Sequence, residues 1–168
     1  MAEGNVHEII AGQYRASLAM LREAITKCPE SLWLAPDYPN TFWHIAYHVL
    51  YCTHMYLQNS YQECTRWEKH RENYQWLGPL PWPPHDRPKI EVPYSKDEIL
   101  EYLQVCWAEV DARVPSLDLG APSGFHWLPF SKLELQLYNL RHLQHHTGQL
   151  IDRLRTVAQI GVVWVAAV

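Results

Sequence analysis

Apolar residues recur every three to four positions along four stretches of the chain, and proline- and glycine-bearing segments interrupt them. A repeat of 3.6 places apolar side chains on one face of an amphipathic helix. In the first stretch Ile9, Ile10, Tyr14, Leu18, Leu21 and Ile25 form such a stripe, which predicts a helix from about Val6 to Lys27. The segment "CPESLWLAPDYPN", with prolines at 29, 36 and 39, ends it. A second helix is expected to start near Asn40 or Thr41, either of which can cap a first turn, and to run to about Glu72. Ile45, Val49, Thr53, Tyr56 and Leu57 share one of its faces.

Trp76 to Ser95 carries six prolines and must be irregular. Loops this long and aromatic are often lids or binding loops. Ser95, with Glu98 three residues on, has the pattern of a capping box and opens a third helix reaching about Val114. Ser131 and Glu134 repeat the pattern and open a fourth, reaching about Val157. On that helix Leu133, Leu137, Leu140, Ile151 and Leu154 make up the main apolar stripe. The ending "IGVVWVAAV" suits a short strand or an extended tail. Four amphipathic helices without a convincing set of strands predict an all-α helical bundle, with residues 1–168 as one domain.

Composition narrows the function. A net charge of −4 without a basic cluster argues against nucleic acid as a partner. The N-terminus lacks a basic region followed by an apolar run, and no apolar stretch approaches the ~20 residues of a membrane span. The four cysteines, Cys28, Cys52, Cys64 and Cys106, form no CxxC pair, so neither a thiolate zinc knuckle nor a redox dithiol is indicated. These features lead to the expectation of a cytoplasmic protein with reduced thiols, no membrane partner and a small-molecule substrate.

Ten histidines are the departure that matters. In "RHLQHHTGQL" His142 and His146 stand one turn apart, on a mostly polar strip with Tyr138, Asn139, Gln149 and Arg153, while His145 points aside. His44 and His48 make a second such pair, and Tyr51 and Met55 extend its line. Two imidazoles one turn apart can chelate a cation, but a stable site needs a third ligand from another segment, and facing helices of a bundle supply it. On the residues alone, either His44 or His48 can serve, and ordinary surface histidines are the competing explanation.

"RHLQHHTGQLIDRL" resembles the last-helix motif of the DinB/YfiT-like superfamily: histidine, three residues, histidine, a small residue, and often Gln-Leu. "NTFWHIAYHVLY" resembles the second-helix motif, in which a histidine precedes a small apolar pair, here His44-Ile45-Ala46. The resemblance covers nearly the whole chain. It implies a four-helix bundle with long inter-helix loops, often a homodimer, and a metal-dependent enzyme. Matched by position, the implied ligands of a divalent zinc, nickel, iron or manganese ion are His44, His142 and His146, with His48 as the alternative third ligand and His145 as a neighbour.

Members of that superfamily with known activity include transferases and isomerases that use low-molecular-weight thiols such as bacillithiol, mycothiol or glutathione, and a related domain occurs in ergothioneine-synthesising enzymes. The leading expectation is therefore a thiol S-transferase in which the metal lowers the pKa of a bound thiol and the thiolate attacks an electrophile. Tyr51, Tyr138 and Gln149 lie on the histidine strips and could orient the thiol. Arg153 could meet a carboxylate, and Trp76, Trp82 and Tyr94 could line an apolar pocket. His85 and His126 read as solvated loop residues. The alternatives are a metal-binding or dimerising stress protein without turnover, and a metal-activated hydrolase. Against the hydrolase, Asp152 turns away from the histidines and no other carboxylate stands near them in sequence.

Overall fold

Asn5 begins the first helix: its side-chain oxygen accepts the His7 backbone N–H, which would otherwise have no partner in the first turn. The structure, a computed structural model, describes residues 5–168. Its helices are α1 (Val6–Lys27), a single turn α2 (Glu30–Trp33), α3 (Phe42–Leu57), α4 (Lys96–Arg113) and α5 (Lys132–Val157), with a 3₁₀ turn, Val114–Ser116, after α4. The described residues contain no strand, only an isolated bridge between Pro122 and Ser131. The fold is all-α, and no helix among the described residues is long and apolar enough to cross a membrane.

Contacts along the four long helices set their directions. Tyr14 meets Gln136 and Met20 meets Gln144, so α1 and α5 run parallel. Arg15 pairs with Asp111 and Lys96 reaches the Cys28 carbonyl, so α4 runs against α1. His48, Thr53 and Tyr56 meet His142, Asn139 and Gln136 in turn, so α3 runs against α5. Tyr47 stacks on Tyr94 at the start of α4, and the Leu50 carbonyl accepts from Cys106 further along, so α3 and α4 are parallel. The order is up, down, down, up. Joining two parallel helices requires the chain to return along the length of α3, about 24 Å, which accounts for the long aromatic crossover between residues 57 and 96.

Three expectations need correction. The second helix ends at Leu57, not near Glu72. Gln58 turns extended there, and its side chain binds the Thr65 backbone through both its oxygen and its nitrogen, replacing a further helical turn. The apolar stripe of the last helix is also displaced: Leu137 is 56% exposed and Leu133 exposed at its edge, while α5 buries Leu135, Gln136, Asn139, Leu143, Thr147, Leu150 and Leu154. A half-polar face can be buried because its amides are partnered. The Tyr14 hydroxyl donates to Gln136 Oε1 at 2.8 Å, and the Gln136 and Asn139 amides donate to the carbonyls of Tyr56 and Thr53. Ile9, counted in the first stripe, is exposed, whereas Ile10, Tyr14, Leu18, Leu21 and Ile25 are buried. The C-terminal segment is an extended tail along α1, held by Lys27 on the Gly161 carbonyl and by the Glu23 carboxylate on the Val163 N–H.

The caps follow the sequence pattern. At Ser95 both halves of the capping box form: the Ser95 hydroxyl accepts from the Glu98 N–H, and the Glu98 carboxylate accepts from the Ser95 N–H. At Ser131 only half of the expected box forms: the hydroxyl accepts from the Glu134 N–H without the reciprocal bond to the Glu134 carboxylate.

Candidate metal centre

Where α3 crosses α5 in antiparallel fashion, one turn of α3 faces two turns of α5. His48 projects between His142 and His146, and one nitrogen from each lies within 4.8 Å of the other two. His48 Nε2 and His142 Nε2 are 3.2 Å apart. Two imidazole nitrogens on one tetrahedral cation, each about 2.05 Å from it, stand about 3.3 Å apart.

His44 is not part of this group, and the register expected from the helix-two motif is corrected by one turn. His44 is buried, stacks on Trp43 at 5.1 Å, and donates from Nε2 to the Tyr74 carbonyl at 2.8 Å. Its side chain is committed to the crossover segment. One turn on, His48 lies level with the two histidines of α5.

The outward nitrogens show which lone pairs are free. A carbonyl can only accept, so His48 Nδ1, 2.6 Å from the Gln75 carbonyl, carries the proton. The neutral His48 ring therefore turns a bare Nε2 inward. His146 is held in the same way, Nδ1 against the Gln149 side-chain oxygen at 2.8 Å. His142 Nδ1 is buried and has no partner. If His142 carries its proton on Nε2, a bare nitrogen is buried at Nδ1. If the proton is on Nδ1, two lone pairs face each other at 3.2 Å. A cation among the three Nε2 atoms removes that conflict, and outward N–H groups bound to carbonyl oxygens are the usual support of metal-bound histidines.

Burial keeps these rings neutral. It lowers the pKa of His48 to about 3 and that of His142 to about 4, and it lowers that of His146 as well; the neighbouring histidines add to the shift. At neutral pH the three are unprotonated, the form a metal requires.

Beside His48 and His142 a cavity of about 600 Å³ opens, walled by Tyr51, Tyr56, Trp76, Trp82, Trp127 and Tyr138. Arg66 and Glu72 bring one charge of each sign to its wall. Trp76 and Trp82 thus stand where the loop reading put them. Tyr94 does not: it is buried against Tyr47 at 4.8 Å, with its hydroxyl on the Lys69 carbonyl. Tyr51 and Tyr138 both reach the cavity. Exposed Gln149 bridges the rings of His146 and His145 on the outer side, and His145 has its ring 4.9 Å from that of His146. Arg153 is engaged elsewhere, donating to the Asn40 carbonyl and stacked 4.0 Å over Tyr38. His85 and His126 are both exposed, as solvated loop residues are, and His126 also borders the cavity.

Sequence reasoning missed Gln75, Arg66, Glu72 and Trp127. The first three fall where helix was expected or at its margin. Asn73, at φ 68, makes the turn that delivers the Tyr74 and Gln75 carbonyls to His44 and His48; asparagine is among the few residues at ease in that left-handed region. Cys52, also on the cavity wall, had a signal available: it lies one turn beyond His48.

A family model of the DinB superfamily matches residues 13–150. No curated protein and no solved structure matches the chain. The matched span takes in the greater part of α1, all of α3 and α4 and all three clustered histidines, and the chain belongs to the DinB superfamily.

Proposed function

We propose that this DinB-superfamily chain is a metal-dependent enzyme that binds one divalent cation through His48, His142 and His146 and transfers a low-molecular-weight thiol to a small electrophile. The observation that carries the metal reading is the convergence of three neutral imidazoles on one point, with the Nδ1 protons of His48 and His146 held outward so that their inward nitrogens are bare. Three imidazoles suit zinc, nickel, iron or manganese. A cation bound there would stabilise a thiolate at neutral pH.

The chain's own groups account for the rest of the site. Gln75 and Gln149 fix the rings of His48 and His146. The aromatic wall supplies apolar contact for an electrophile and keeps water from it. Arg66 is placed to meet a carboxylate of either reactant, and Tyr51 and Tyr138 offer hydroxyls at the cavity surface. Glu72 favours a second reading, a metal-activated hydrolase, because it puts a carboxylate on the wall where the sequence offered none. The exposed leucines of α5, Leu133 and Leu137, are the face a homodimer would cover.

The test is metal content by mass spectrometry on protein purified without a histidine tag. The parent is expected to carry about one ion per chain, and His48→Ala and the His142→Ala, His146→Ala double variant essentially none, as expected when a ligand is lost. His44→Ala should retain its metal. Loss of thiol in the presence of an electrophile, against release of product without thiol, then separates transferase from hydrolase. A parent that binds none of the four metals after incubation overturns the reading.

A further inference from the structure

The four thiols of the chain have different surroundings. Those of Cys28, Cys64 and Cys106 each donate to a backbone carbonyl: of Pro29, Met55 and Leu50. Cys52 is the exception. Its Sγ lies 3.9 Å from His48 Nε2, the same nitrogen that faces His142. Cys52 follows His48 by one turn on α3, is half-buried, and lines the cavity beside the histidines.

We infer that Cys52 is a fourth protein ligand of the cation held by His48, His142 and His146. The inference rests on the three-histidine reading above. On a tetrahedral cation with bonds of about 2.05 Å to nitrogen and 2.3 Å to sulfur, the two ligand atoms stand about 3.5 Å apart. The separation from His48 exceeds this by a few tenths of an ångström, and Cys52 Sγ stands outside the group of three mutually close nitrogens, so ligation requires a turn about the Cα–Cβ bond that carries the sulfur toward His142 and His146. The bare His48 Nε2 is an acceptor, so in the metal-free protein the Cys52 thiol can donate to it, and ligation replaces that weak contact with a bond from sulfur to the cation. Ligation converts the thiol to thiolate and releases its proton to water through the cavity.

Two consequences follow. A sulfur donor shifts the preference of the site toward zinc or cobalt and away from manganese. Cys52 also occupies the position an external thiol would take, so the two compete for it.

The experiment loads full-length, tag-free protein with Co(II) and reads stoichiometry together with the optical spectrum. The parent is expected to bind one ion per chain and to show a near-ultraviolet sulfur-to-cobalt charge-transfer band. Cys52→Ala should still bind Co(II), with affinity lower by about tenfold or more, and without that band. Cys64→Ala should keep the band. Cys52→Ser, closer in size, provides the comparison if the alanine variant is unfolded by circular dichroism. A parent that binds Co(II) without the band, or a Cys52 variant that retains it, overturns this inference and leaves the three-histidine site standing. A folded parent that binds no Co(II) overturns both.

Discussion

Two polar clusters lie where α5 meets α3, one buried around Lys132 and one half-buried at the histidines, and they differ in how completely they are satisfied. At the start of α5, Lys132 directs its ammonium to the carbonyls of Gln58, Asn59 and Ser123, at 3.2, 2.7 and 2.5 Å. Three donors meet three acceptors, and the positive charge sits at the C-terminal end of α3, where the helix dipole favours it. About three to four turns further along α5, His142 and His146 meet His48 of α3 and lone pairs are brought together at the inward nitrogens. A buried polar group without a partner costs roughly 1–3 kcal/mol. The first cluster therefore explains itself as a clasp of the fold. In the second, a cation would give the inward nitrogens the partner that they lack.

That contrast can be broken most severely at the clasp. Gly124 lies at φ 85, and a Cβ there would stand 2.1 Å from the Asn59 carbonyl oxygen, the group that accepts from Lys132 at 2.7 Å. The oxygen belongs to the backbone and cannot step aside without releasing the lysine. Gly124→Ala should destabilise the protein by about 4 kcal/mol or more, a size reserved for forced backbone strain combined with loss of a buried network. Urea denaturation measures it; a change below 1 kcal/mol would mean that the loop is far looser than its contacts imply.

A smaller loss is expected from Lys132→Met, which keeps the stem and removes the charge. Three carbonyls lose their donor, yet exposed Asn59 lies where water can take part, so the expected cost is about 2–3 kcal/mol. The same replacement logic applied to the histidines predicts a smaller loss. His48→Leu with His142→Leu, in metal-free protein at neutral pH, should cost about 1 kcal/mol or less, because only the Gln75 carbonyl loses a donor and the inward nitrogens had no complete set of partners. A loss as large as that of Lys132→Met would show the histidines to be fold glue and would erase the distinction.

The same contrast explains what could be read in advance. The span of α1, the capping box at Ser95 and the pairing of His142 with His146 are local patterns, set by residues three or four apart, and each is present in the structure. The end of α3 is set by Gln58 bonding to Thr65 and by carbonyls held from Lys132, 74 positions away in sequence. No periodicity carries that information. The choice between His44 and His48 is of the same kind: both sit on the same strip of α3, and only the antiparallel register against α5 and the Tyr74 and Gln75 carbonyls separates them. The buried face of α5 was hidden because its amides count as polar until Tyr14, Thr53 and Tyr56 are seen to satisfy them.

Acid offers the finest probe of the two clusters. Burial lowers the folded-state pKa of His48 to about 3 and that of His142 to about 4, against about 6.5 in an unfolded chain. Above pH 6.5 both states are unprotonated and these rings contribute no pH dependence. As pH falls below 6.5 the unfolded chain takes up protons that the fold refuses, so stability declines until the folded pKa values are reached. His44, His54, His70 and His146 are lowered by burial in the same direction, so the metal-free parent should lose stability steadily between pH 6.5 and 4. The slope has a ceiling of about 1.4 kcal/mol per pH unit for each histidine that is neutral in the fold and protonated in the unfolded chain. Half-exposed His142 falls below that ceiling because solvent screens its charge. The His48→Leu, His142→Leu variant should therefore show a shallower decline than the parent over this window, whereas Lys132→Met should run parallel to the parent at a lower level. Chemical denaturation at half-unit steps of pH reads both. Equal slopes for parent and leucine variant would mean that the two rings are solvated in the metal-free fold, and the conflict among their lone pairs would then already be relieved by water.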